Sequence, residues 1–137
     1  MILIEHRFLR KVFIMDRTGL MGGLIPFMEF LEAHNIRKAI CTRNFEQPVN
    51  YLLERYLNGR LFDPIIDRSF TPPKPSSQPL LHIASQWQTT GDKLMMVGDS
   101  VDDMISGRDA GASTVLLLNK DNRELAKEPC TDYSVEQ

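Results

Sequence analysis

The 137-residue chain carries 16 Lys and Arg against 18 Asp and Glu, a formal charge of −2, with 42% hydrophobic and 25% charged residues. That length supports one compact domain able to bury roughly 70% of its unfolded surface, and the composition excludes wholesale disorder. The near-neutral balance gives no long-range field for nucleic acid, so binding a phosphate requires a local site. Two cysteines, Cys41 and Cys130, cannot form a disulfide framework and fit a reducing compartment. No apolar run nears the ~20 residues of a membrane span. Met1–Ile4 is too short for a signal-peptide core. The expectation is a soluble, cytoplasmic chain with neither membrane nor nucleic acid as partner; the oligomeric state is unknown.

The N-terminal segment admits two patterns. Val12–Met15 before Asp16 fits a strand that ends in an acid, whereas Phe8, Leu9, Val12 and Phe13 fit one face of a helix. Beyond it, Leu24, Phe27, Met28 and Leu31 recur at helical spacing and stop at His34-Asn35. Lys38–Cys41 is a short strand that runs into the polar triplet Thr42-Arg43-Asn44. Val49, Leu52, Leu53, Tyr56 and Leu57 mark a second helix, closed by Asn58-Gly59, and Ile65-Ile66 is a minimal strand. A third helix, begun after Pro79, carries Leu80, Leu81, Ile83, Ala84 and Trp87. Lys93–Val97 is a buried strand, Gly98-Asp99-Ser100 its turn, Val101–Ala110 a helix stopped by Gly111, and Ser113–Leu118 another strand. Asp132–Glu136 fits the start of one more strand. Strands alternating with helices predict a parallel sheet covered on both faces, a doubly wound three-layer α/β/α fold. Ligands of such folds sit beyond the carboxyl ends of the strands.

Three polar groups fall at those ends: Thr42 after one strand, Lys74 in the Thr71–Pro75 loop after another, and Asp99 with Asp103 after a third. A hydroxyl, an ammonium and paired carboxylates suit a phosphate beside a hard divalent cation, because Mg²⁺ prefers oxygen ligands. Two carboxylates ~4 Å apart repel by about 4 kcal/mol at an effective dielectric of ~20, so both stay ionised only with a cation beside them. Each residue also has a purely structural explanation. Asp102 and Asp103 favour a helix N-terminus, Ser100 is a good N-cap, Thr42 suits a strand end, and Lys74 suits a solvated loop. Their order and their shared edge are what point to a site. His6, His34 and His82 are scattered and suggest no metal site.

Cys41-Thr42-Arg43-Asn44, Pro73-Lys74-Pro75 and the run Met96–Met104, with its Gly-Asp-x-x-x-Asp element, resemble the second, third and fourth motifs of haloacid dehalogenase-like hydrolases. The likeness is to the phosphoglycolate phosphatase and β-phosphoglucomutase-like subgroup. It extends over about Leu24–Asn119, with Ala110-Gly111-Ala112 and Val115–Leu118 as its continuation. The resemblance implies a Rossmann-like core and a Mg²⁺-dependent phosphatase acting on a small phosphorylated metabolite through an aspartyl-phosphate. It further implies Thr42 and Lys74 as catalytic, substrate-binding groups on the phosphoryl oxygens. Arg43, Asn44 and Phe45 lie close enough in the chain to bind the substrate at its leaving group, and solvated or packing roles suit them equally. Asp99 and Asp103 would then serve as metal ligands.

The first motif of that family, Asp-x-Asp-Gly-Thr, is missing. Asp16-Arg17-Thr18-Gly19-Leu20 offers Asp16 as nucleophile and third metal ligand, but Thr18 stands where the acid/base aspartate belongs. In a second alignment Leu20–Leu24 is the point of re-entry from a helical cap. Met1–Thr18 is then a cap remnant, and the nucleophile strand is absent. The expected organisation is therefore one core domain over residues 1–137. Residues 1–20 are open between core and cap remnant, residues 120–137 form an incomplete end, and the cap is absent or vestigial. The alternative function is a catalytically impaired, truncated member that keeps phosphate and Mg²⁺ binding. A receiver domain fits less well, since its acids precede its Thr and Lys. No G-x-G-x-x-G follows an early strand, which speaks against a dinucleotide site.

Overall fold

A computed structural model describes residues 2–4, 24–56 and 61–136. Asp16, His6 and the Val12–Met15 run lie outside the described residues, as does the Asn58-Gly59 helix stop. In chain order the elements are β1 (Ile2–Ile4), α1 (Leu24–Ala33), β2 (Lys38–Cys41), α2 (Glu46–Tyr56), β3 (Ile65–Ile66) and α3 (Gln78–Gln86). They continue with β4 (Met95–Gly98), α4 (Val101–Asp109), β5 (Ser113–Leu118) and β6 (Tyr133–Glu136). All pairings are parallel, in the order β3-β2-β1-β4-β5-β6.

The strand β1 corrects one expectation. Ile2–Ile4 lies in the middle of the sheet, with Leu3 opposite Ala39 on β2 and Met96 on β4. These three residues therefore belong to the sheet and not to a helical cap. An Ile-Leu-Ile run, β-branched at both ends, suits a strand with neighbours on both sides. Smaller features also differ: the third helix begins at Gln78, ahead of Pro79. Gly91–Lys93 forms a 3₁₀ turn, so the fourth strand begins at Met95 instead of Lys93. A second 3₁₀ turn, Arg123–Lys127, precedes β6 and had no clear sequence signal.

Alternation along the strands builds two cores. On one face Ile40 and Val97 pack with Met28 and Leu31 of α1, Val49 and Leu53 of α2, and Phe62 and Leu117. On the other, Ala39, Cys41 and Met96 pack with Leu80, Ile83 and Ala84 of α3 and with Trp87. Helices on both faces make the predicted three layers. The helix ends are closed by their own sequence. Asn35, at φ 53°, ends α1 with Ile36 N–H donating to Leu31 O at 2.8 Å and Asn35 N–H to Glu32 O at 3.0 Å. Gly111, at φ 79°, ends α4 in the same way, with Ala112 N–H on Gly107 O at 2.9 Å. Gly107 lets α4 lie against the sheet, since a Cβ there would come 2.7 Å from Thr114 Cγ2 and 2.8 Å from Met96 Cβ.

Candidate active site

Three strand ends deliver the polar groups to one rim. Thr42 follows β2, its backbone N–H donating to Ile66 O of β3 at 2.8 Å, and its side chain is buried. Thr42 Oγ1 accepts from the Asn44 N–H at 3.1 Å. A hydroxyl that accepts one bond still has its proton to give, and that proton suits a phosphoryl oxygen.

Lys74 is the hinge of the arrangement. It is 4% exposed, which rules out the solvated-loop explanation. Its Nζ donates to Cys41 O, the last carbonyl of β2, at 2.9 Å, and to Asp103 Oδ1 in the first turn of α4 at 2.5 Å. One ammonium thus ties the β2 rim to the acidic loop after β4. The loop that carries it is fastened to α4 by the buried Ser106, whose Oγ donates to Ser76 O at 2.8 Å. Ser106 lies three residues after Asp103, on the same helix face; that spacing is the signal by which sequence alone would find it.

The acidic loop is set by its cap. Ser100 Oγ accepts from the Asp103 N–H at 3.3 Å, and Asp103 Oδ2 accepts from the Ser100 N–H at 3.2 Å, a reciprocal capping box. Ser100 Oγ also donates to Asp103 Oδ2 at 2.7 Å. Both oxygens of Asp103 are therefore engaged by protein donors, Oδ1 by Lys74 and Oδ2 by Ser100. Asp103 is fully buried, and Gly98 makes room for it, since a Cβ on Gly98 would meet its side chain at 2.5 Å. Asp99, also buried, is the other carboxylate of the loop.

The remaining candidates, Arg43 and Asn44, follow Thr42 directly in the chain. Arg43 Nη1 pairs with Asp102 Oδ2 at 2.7 Å, and Asn44 O accepts the Arg68 N–H at 3.0 Å. His34 Nδ1 lies 2.8 Å from Phe30 O, and His82 pairs with Gln86 along α3. Among the described residues no cluster of three or more His, Cys, Asp or Glu gathers as a metal cage. Mg²⁺ does not need one: it binds through one or two carboxylates with waters and substrate phosphate, and the buried carboxylate of Asp99 fits that demand. Asn122 was not foreseen. Buried after β5, it donates from Nδ2 to Asp99 O and Leu117 O, both at 2.9 Å.

Comparison with known proteins gives the family and the fold. A family model described as haloacid dehalogenase-like hydrolase matches residues 2–111. The chain is 47% identical over 118 residues to an uncharacterized hydrolase of Saccharomyces cerevisiae, covering 83% of this chain and 54% of that protein. It is 31% identical over 106 residues to phosphoglycolate phosphatase of Rhodospirillum rubrum, covering 74% of this chain and 43% of the enzyme. The chain thus spans about half the length of the curated relatives it matches. In fold it superposes on a family IA, variant 3 hydrolase of this superfamily from Entamoeba histolytica with a TM-score of 0.76 at 21% identity, covering 95% of this chain and 60% of that one.

Proposed function

Because the chain belongs to the haloacid dehalogenase-like hydrolases, we propose that its rim binds and transfers the phosphoryl group of a small phosphorylated metabolite, as a phosphoric monoester hydrolase assisted by Mg²⁺. The observation that carries this reading is the buried Lys74, bonded at once to the end of β2 and to Asp103. It joins the end of β2, which Thr42 follows, to the first turn of α4, from distant parts of the chain.

Each residue then has a role. Thr42 donates its hydroxyl proton to a non-bridging phosphoryl oxygen. Lys74, held by Asp103, offsets charge on the phosphate and on the attacking carboxylate. Asp99 holds the metal, and Asp103 supports it by fixing the lysine. Magnesium, when bound, neutralises charge that builds on the phosphoryl oxygens. Positioning and electrostatics of this kind supply most of the catalysis in phosphoryl transfer. Asp16 is the candidate nucleophile. Its carboxylate attacks phosphorus, the ester P–O bond breaks with the leaving alkoxide taking a proton from water, and a second water then cleaves the aspartyl-phosphate to release phosphate and restore the carboxylate. Arg43 and Asn44, next in the chain after Thr42, are close enough to influence the leaving group.

Thr18 favours a second reading. It stands in the place of the carboxylic acid that would protonate the leaving group, and its hydroxyl cannot do so near neutral pH. On that reading the rim retains phosphate and Mg²⁺ without turnover. The test is hydrolysis of p-nitrophenyl phosphate with and without Mg²⁺, for the native protein and Asp16→Asn. Magnesium-dependent release that Asp16→Asn abolishes is the expected result. Release unaffected by Asp16→Asn removes Asp16 from the mechanism, and no release alongside retained phosphate binding selects the second reading.

A further inference from the structure

We infer that Asn122 is a positioning residue for the metal site, holding Asp99 in the orientation that binding requires. The inference rests on the reading of Asp99 as the magnesium ligand. Asn122 lies 23 residues beyond Asp99 in the chain, at the mouth of the 3₁₀ turn after β5, and is 7% exposed. Its amide is almost fully used. Nδ2 donates to Asp99 O and Leu117 O, each at 2.9 Å, and Oδ1 accepts the Asn119 N–H at 2.8 Å. The reverse orientation of the amide would set its oxygen against two carbonyls and its NH₂ against an N–H, so the network admits one orientation only.

The bonds to Leu117 and Asn119 close the turn locally. The bond to Asp99 is different, because it leaves the turn and crosses to the acidic loop after β4. The peptide joining Asp99 to Ser100 is a rigid plane. Its carbonyl end is held by Asn122, and its N–H end by Asp103 Oδ2 at 3.2 Å. Pinned at both ends, the plane fixes the position from which the Asp99 side chain projects. Asp103 is in turn fixed by Lys74. The acid that holds the metal and the ammonium that meets the phosphate are therefore aligned through one peptide group, and Asn122 is the clamp on its far side. Groups that orient a metal ligand without touching the metal commonly alter affinity by about 10–100-fold when removed.

The test reads magnesium binding, not turnover, so it does not depend on the nucleophile. MgCl₂ is titrated calorimetrically, with inorganic phosphate present, into the native protein, Asn122→Ala, Asn122→Ser and Thr114→Val. Asn122→Ser keeps one donor and secures a folded variant. Thr114→Val is the stability control. It removes the hydroxyl bonds to Cys130 O and Asp132 at the opposite end of β5, and keeps the methyl that packs on Gly107. The expected result is a Kd for magnesium raised about tenfold in Asn122→Ala and by less in Asn122→Ser. Thr114→Val is expected to lower Tm and keep the native Kd. Native affinity in Asn122→Ala, or an equal loss in Thr114→Val, overturns the inference while leaving Asp99 as ligand. No binding by the native protein overturns the reading of Asp99, and the inference with it.

Discussion

Asp102 and Asp103 are neighbours in the first turn of one helix, and each faces a cation, yet their surroundings differ completely. Asp103 meets Lys74 with side chains 0% and 3% exposed, whereas Asp102 meets Arg43 with side chains 24% and 45% exposed. The two N···O distances, 2.5 Å and 2.7 Å, are nearly equal. Distance therefore does not distinguish them; solvent does. A buried pair is a commitment, because removing one partner leaves a charge with no water to take its place. An exposed pair is screened and exchangeable, and is worth little to stability. The helix keeps its committed acid buried against Lys74 and leaves its exchangeable acid in solvent beside Arg43.

The strongest way to break this contrast is Lys74→Met. It should cost about 3–5 kcal/mol in urea unfolding, since it strands Asp103, and should remove phosphate binding as well. The double variant Lys74→Met/Asp103→Leu should recover most of the stability and none of the binding. If it stays as unstable as the single variant, the lost stability has another source. A second route leaves both charges in place. Gly98→Ala places a methyl against the Asp103 side chain and should cost about 1–3 kcal/mol by overpacking. A variant of native stability would show that the loop yields freely. The smallest effect is expected of Arg43→Ala. Its unfolding free energy should fall by no more than about 1 kcal/mol, with any change in turnover appearing in KM rather than kcat. A loss as large as that of Lys74→Met would abolish the distinction.

Much of this was legible in the residues. Lys38–Cys41, Ile65-Ile66 and Ser113–Leu118 are strands with the expected bounds, and Tyr133–Glu136 is the further strand that Asp132–Glu136 suggested. Short apolar runs bounded by polar turns carry that information locally. The burial of Lys74 was not local. A lysine between prolines looks solvated until the loop is folded against α4, and only its place in the motif order hinted otherwise. Asn122 was harder still, because an asparagine after a strand is an ordinary turn residue and its partner lies in a different loop. The strand Ile2–Ile4 was hidden by its brevity, since three residues are too few to show a period.

Of the described residues, no helix is long and apolar enough to cross a membrane. The fold rests on the whole pattern of elements and the family on the sequence match over residues 2–111, whereas the proposed activity rests on a few polar side chains.

A crystal structure grown with MgCl₂ and inorganic phosphate examines that rim most directly. Magnesium should lie 2.0–2.1 Å from an Asp99 carboxylate oxygen, the usual distance for that ion. A phosphate oxygen should lie within hydrogen-bond reach of both Thr42 Oγ1 and Lys74 Nζ. Ions bound elsewhere, or a rim that takes up neither under saturating conditions, would contradict the account.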